Sequence, residues 1–253
     1  MQGQQQQAYD RGITIFSPDG RLYQVEYARE AVKRGTTSIG VRTAEGVVLV
    51  VDKRSRSPLM EPESIEKLHK VADHVAIASA GHVADARQLI DFARRRAQVE
   101  ELRYEEPMDV EALTKAVTDN IQQYTQVGGA RPFGAALLIA GVSDGVPRLF
   151  ETDPSGTSNE WKAVAIGADR SDTQSFLEEE WHDDLTLEEG IELGVRALAH
   201  LREDSLEASG VGVGTVSVED PVYDELSNED LQEYLDDLDE VTEHEDEDED
   251  ESE

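Results

Sequence analysis

The stretch 9-YDRGITIFSPDGRLYQVEYAREAV-32, followed at once by 35-GTTSIG-40, decides how the rest of the chain is read. Ser17-Pro18-Asp19 has the chemistry of a helix start: a hydroxyl to cap free amides, a proline where no N–H is needed, an acid near the positive dipole end. Leu22, Val25, Ala28 and Val32 then recur at helical spacing, and Gly35 stops the run. The spacing predicts an amphipathic helix over residues 18–34, laid in front of a domain. Thr37, Ile39 and Val41 alternate as a strand does. A strand opening on Thr36 is also where a hydrolase with a threonine nucleophile would begin. Either the helix is removed to free that threonine, or it stays and does something else.

Outward from this stretch, 47-VVLVVD-52 reads as a buried strand after the turn Ala44-Glu45-Gly46, and further strands are expected near 65–71 and 75–81. Apolar periodicity predicts helices over His82–Glu100 and Asp109–Gln126, then strands at 133–142, 147–152 and 162–167. Two more helices follow, Ser171–Trp181 and Leu187–Asp204, the latter opened by the capping box Thr186-x-x-Glu189. A last strand spans 211–220. Blocks of strands separated by helix pairs point to an α+β class, a four-layer αββα sandwich of two facing sheets with helices outside, carrying an extra N-terminal helix. The domain is expected over residues 13–220. Residues 1–12 precede it, 221–241 form an acidic helix or extension, and the run beyond Val241 has nothing to bury and is expected to be disordered.

The chain has 253 residues, 56 acidic against 23 basic, for a net charge of −33. Twenty of the acids lie between Glu219 and Glu253, a stretch without Lys or Arg, which leaves −13 on residues 1–218. Clustered cations for nucleic acid are missing, and an anionic membrane surface would repel such a chain. Only 6 of the basic residues are Lys and 17 are Arg. An acid-rich, lysine-poor surface is that of a protein adapted to high salt, where screening relieves self-repulsion. With no Cys, no disulfide or thiolate metal site exists. The Gln-rich start lacks a signal peptide's apolar core and no apolar run reaches membrane-spanning length, so a cytoplasmic protein is expected.

As chemistry, Thr36, Asp52 and Lys67 are residue types that a threonine hydrolase uses, but a threonine inside a peptide has no α-amine to act as base. The six His are scattered without a metal-ligand pattern, and neither a metal nor another cofactor is expected.

The opening stretch, together with 61-EPESIEKL-68, 81-GHVADARQLIDFAR-94, 122-QQYTQVGGARPFG-134 and 153-DPSGTSNEWKAVAIG-167, resembles the α-type subunits of the 20S proteasome, the archaeal branch above all. The resemblance covers residues 9–220. It implies the same αββα sandwich, seven copies of α subunits (possibly of mixed type) in an outer ring, and proteolysis carried by partner β subunits. It also implies gated entry of unfolded protein substrates and docking of an AAA ATPase activator. Residues 1–12 would be the gate segment. Tyr9, Asp10, Arg11, Pro18 and Tyr27 match the cluster that holds the gate. Lys67 matches a lysine that receives an activator's C-terminal carboxylate, with Glu26 and Gly81 as further contacts. For Lys67, an ion pair with Glu63 or Glu66 is the plainer reading. Val127, Gly128 and Gly129 match the pore constriction, where Val127 departs from the aromatic residue often found there. The alternative is a processed β-type hydrolase with Thr36 as nucleophile.

Overall fold

The computed structural model describes residues 16–17, 20–55, 57, 59–127, 130–202 and 205–238. The expected gate segment 1–12 and the expected acidic tail beyond residue 241 lie outside these described residues. The N-terminal helix α1 spans Tyr23–Lys33 and buries Val25, Ala28 and Val32. It starts later than the sequence predicts, and Ser17 does not cap it. The Ser17 hydroxyl accepts from the Arg21 N–H at 3.1 Å, the Ser17 N–H donates to the Arg21 carbonyl, and Gly20 turns the chain at φ 75°. A local turn uses up the capping group, so the helix opens at Leu22 without a side-chain cap and is held by its buried face.

Among the described residues ten strands form two five-stranded antiparallel sheets. The first holds β1 (Ser38–Arg42), β2 (Gly46–Asp52), β8 (Ala163–Ile166), β9 (Val211–Ser217) and β10 (Tyr223–Glu225), in the order β10-β9-β2-β1-β8. The second runs β3-β4-β5-β6-β7, from β3 (Leu68–Ala72) and β4 (Val75–Gly81) through β5 (Ala135–Ser143) and β6 (Val146–Thr152) to β7 (Ser158–Glu160). Every residue of β2 is buried, because alternate side chains serve different cores. Val47, Leu49 and Val51 face the second sheet, among Ala78, Leu138 and Ala140. Val48 and Val50 face outward onto helices α4 (Arg170–Glu180) and α5 (Leu187–Ala199) and the helical segment 228–238. Helices α2 (Val83–Tyr104) and α3 (Val110–Gln126) cover the outer face of the second sheet. That is the four-layer sandwich the element order implies. The capping box at Thr186 is present, with both reciprocal bonds made.

Two strands carry no sequence signal. β7 is exposed throughout and β10 is exposed or half-buried, so neither shows the apolar alternation by which a strand is recognised. Helix α2 runs past the expected Glu100 to Tyr104, while α5 ends at Ala199 rather than Asp204. Among the described residues no helix is long and apolar enough to cross a membrane.

The acidic surface has a consequence for this sandwich. Self-repulsion from a net charge of −33 opposes the compact state unless salt screens it. The melting temperature is expected to drop by about 10 °C or more on moving from molar salt to dilute buffer, roughly 3 kcal/mol at this chain length. A calorimetric series in salt checks it; a flat series would remove the high-salt reading.

Candidate functional site

The decisive geometry lies where α1 meets the open end of the sandwich. Gly35 follows α1, its N–H donating to the Val32 carbonyl at 2.9 Å and its carbonyl accepting from Ala168 N–H at 2.8 Å. A Cβ on Gly35 would lie 2.2 Å from the Gly81 amide nitrogen. Gly81, at the end of β4, has φ 108°, and a Cβ there would meet the Gly134 carbonyl at 2.4 Å and Val32 Cα at 3.1 Å. Three backbones thus converge with no room for side chains, and the C-terminal turn of α1 is seated against the strand ends.

Thr36 stands beside this junction, bonded on every side. Its hydroxyl donates to the Asp52 carbonyl at 2.8 Å and accepts from the Lys67 ammonium at 2.9 Å. The same ammonium donates to the Thr36 carbonyl at 2.9 Å and the Thr37 carbonyl at 2.8 Å, with the Asp52 carbonyl at 3.2 Å. Lys67 therefore turns inward, and its ammonium takes oxygens of its own chain rather than a surface glutamate. Burial pushes its pKa down to about 7, against the pull of the Asp52 charge. Lys67 also borders a cavity of about 310 Å³ shared with Lys53, Lys70 and Arg94, so half of the six lysines gather there. The Asp52 carboxylate is fully buried between two guanidiniums: Arg54 Nε at 2.8 Å and Arg202 Nη2 at 2.8 Å.

Glu26 accepts from Arg29 at 2.8 Å, and Arg29 makes a two-pronged pair with Asp153 at 2.9 and 3.0 Å, tying α1 to the turn after β6. Tyr27 is half exposed on α1. Val127, just past α3, is 55% exposed. Tyr9, Asp10, Arg11, Pro18, Gly128 and Gly129 lie outside the described residues. Asp85, Arg131 and Asp153 form ion pairs at this end of the sandwich that no sequence pattern singles out as pairs. Only Asp153 had a local signal, as the first residue of a D-P-S-G turn, and its carboxylate does accept from the Ser155 N–H.

Burial works to raise the carboxyls of Asp52, Asp85 and Asp153, but the arginines and amides bonded to them win, and all three are held below the ordinary aspartate value. The unfolded chain binds protons that these groups refuse. Their stabilisation is therefore fully present above about pH 4 and is lost as the pH falls through the lowered folded values. Denaturant midpoints taken between about pH 3 and 6 should fall toward acid, and less steeply in Asp153→Asn. Equal slopes would mean that the Arg29 pair contributes nothing.

Comparison with known proteins bears on both halves of the opening stretch. A family model for the N-terminal signature of A-type proteasome subunits matches residues 9–31, and the general proteasome subunit model matches residues 32–216. The chain is 70% identical to the proteasome alpha subunit of Halobacterium salinarum, over 95% of this chain and 96% of that protein. It is 72% identical to the proteasome alpha 1 subunit of Haloferax volcanii, over 93% and 94%. It is 61% identical to the alpha 2 subunit of the same organism, over 83% and 84%. The β-type alternative, with Thr36 as nucleophile, is not favoured by an α-type match that includes the helix itself. The chain belongs to the proteasome subunit family, as one of its α-type subunits.

Proposed function

We propose that this α-type subunit is noncatalytic, and that its ring, seven-membered by family resemblance, restricts entry of unfolded proteins to a chamber of β subunits. The ring would template the β ring and dock an AAA ATPase in the cytoplasm. What supports this reading is the junction at Gly35. The residue before Thr36 is packed backbone against backbone with Gly81, and the Thr36 hydroxyl is held by Lys67 and Asp52. A threonine so placed inside the chain has no free amine as base, and its hydroxyl is already engaged by the Asp52 carbonyl and the Lys67 ammonium. The test is intact mass of the chain from its native particle, with peptidase activity of the chain expressed alone. Retention of residues 9–35 and no turnover is the expected result. A chain starting at Thr36 that hydrolyses peptides would overturn it.

The activator role of Lys67 is proposed on different grounds. Lys53, Lys67, Lys70 and Arg94 outnumber Glu66 and Glu225 around one cavity, on a chain of net charge −33, and this local excess of cations suits a carboxylate. The ammonium has three protons for four neighbouring oxygens, so an incoming carboxylate competes with the most distant one, the Asp52 carbonyl. The gate role of Tyr9, Asp10, Arg11, Pro18 and Tyr27, and the constriction role of Val127, Gly128 and Gly129, rest on the family match. Tyr9→Ala should change the rate of activator-dependent degradation while leaving the ring assembled; unchanged protein and peptide turnover would remove that role.

A further inference from the structure

Asp52, at the end of β2, faces two ways. Its carbonyl accepts from the Thr36 hydroxyl at 2.8 Å and from the Lys67 ammonium at 3.2 Å, and its N–H donates to the Thr37 carbonyl at 3.0 Å. Its fully buried carboxylate is turned to two guanidiniums instead. Arg54 reaches back with its N–H to Oδ1 at 2.9 Å and its Nε to Oδ2 at 2.8 Å. Arg202, beyond the end of α5, adds Nη2 to Oδ1 at 2.8 Å from a side chain only 7% exposed. Among the described residues, every oxygen that the Lys67 ammonium bonds is uncharged: the Thr36 hydroxyl and the carbonyls of Thr36, Thr37 and Asp52. A buried acid and a buried ammonium thus share one residue, yet the acid is bonded elsewhere. Two guanidiniums on one carboxylate are also one cation more than neutrality needs. Stability is a poor account of Arg202, because its Nε is buried with no partner among the described residues and burial works against its charge.

We propose that Arg54 and Arg202 are positioning residues for Lys67: they hold the Asp52 carboxylate off the ammonium, so that its charge stays unclaimed for an incoming terminal carboxylate. The inference rests on the receptor reading of Lys67 proposed above. Without Arg202 the carboxylate keeps only Arg54, whose side chain is 54% exposed. The next cation in contact with Asp52 is the Lys67 ammonium, bonded only to neutral oxygens. A charge-assisted bond is about twice as strong as a neutral one, so the ammonium exchanges the Asp52 carbonyl for the carboxylate. An ammonium already paired in this way has little attraction left for a second carboxylate.

The experiment uses the assembled particle and a labelled peptide copying the C-terminal segment of an ATPase subunit, made once with a free carboxylate and once as its amide. Binding is read by fluorescence anisotropy in molar salt, where exposed charges are screened beyond about 3 Å. The parent should prefer the free acid, and Lys67→Met should erase that preference. Arg202→Met should cut the acid-over-amide ratio about fivefold or more, and adding Asp52→Asn should bring it back to within about twofold of the parent. Asn keeps an oxygen for the Arg54 N–H, so the turn after β2 retains that bond. A merely structural role for Arg202 would make the second substitution additive or worse, never restoring. Where Arg202→Met does not assemble, Arg54→Met, at the more exposed of the two guanidiniums, should shift the ratio in the same direction. An unchanged ratio in these variants, or a double variant no better than Arg202→Met, would overturn the proposal. If the parent binds acid and amide alike, or Lys67→Met keeps the preference, the receptor reading itself has failed and this proposal falls with it.

Discussion

Gly81→Ala should lose about 3–5 kcal/mol of stability and fail to give assembled rings. Two independent penalties act at this position. The backbone stands at φ 108°, where an L side chain is strained by about 1–3 kcal/mol. The added Cβ would also meet the Gly134 carbonyl at 2.4 Å and Val32 Cα at 3.1 Å, both of them backbone atoms that no rotamer change can move aside. Relief requires lifting the C-terminal turn of α1 off the strand ends, an overpacking cost of about 1–3 kcal/mol more. Gly145→Ala separates the two terms. Its φ is 74°, but nothing lies within 4 Å of a Cβ there, so strain alone acts and the loss should be about 1 kcal/mol. Denaturant unfolding of both variants in molar salt provides the comparison. If Gly81→Ala is no worse than Gly145→Ala, then α1 is not seated on this junction, and the enclosure of Thr36 loses its physical basis.

What the sequence disclosed about this junction and what it concealed have different physical origins. The uninterrupted run Val47–Asp52 announced a strand buried on both faces because each face has its own apolar core. Thr186-x-x-Glu189 announced a helix start, and both bonds of the box are made. Such features are local: the partners lie within a turn or two along the chain. Ser17 shows the limit of local reading. The right chemistry stands there, but a competing turn captures the hydroxyl, and the energy that fixes α1 comes from Val25, Ala28 and Val32 packing on distant strands. β7 and β10 are three residues each and mostly exposed, so their pairing with β6 and β9 leaves no readable alternation in the side chains. The Asp85–Arg131 and Arg29–Asp153 pairs join residues 46 and 124 positions apart, and no pattern in one sequence links charges across such distances. Lys67 is the instructive case. Its match to the family pointed to a pocket, yet nothing in 64-SIEKL-68 distinguishes a lysine facing solvent from one turned onto Thr36.

Lys67→Met is accordingly expected to destabilise the isolated chain by about 2–4 kcal/mol, as well as to abolish stimulation by an ATPase ring. The Thr37 carbonyl keeps a donor in Asp52 N–H at 3.0 Å, and the Asp52 carbonyl keeps the Thr36 hydroxyl. The Thr36 carbonyl loses the ammonium bond, and the Thr36 hydroxyl loses a donor; each buried polar group left so costs about 1–3 kcal/mol. A lysine that served only as a surface receptor would give a change within about 0.5 kcal/mol. The pH dependence sharpens the contrast. Burial lowers the Lys67 ammonium to about 7, whereas in the unfolded chain it keeps its proton to about 10.4. Below pH 7 both states are charged and the burial cost is fully present. Between these values the unfolded state binds the extra proton, so the parent chain should gain stability as the pH rises from 7 toward 10, and Lys67→Met should not. The gap between the two chains therefore widens with pH. If it stays constant, the oxygens of Thr36, Thr37 and Asp52 hold the ammonium charged throughout, and a docking carboxylate always meets a cation. If Lys67→Met is as stable as the parent yet insensitive to the ATPase ring, the inward bonds contribute no stability and the receptor role stands alone.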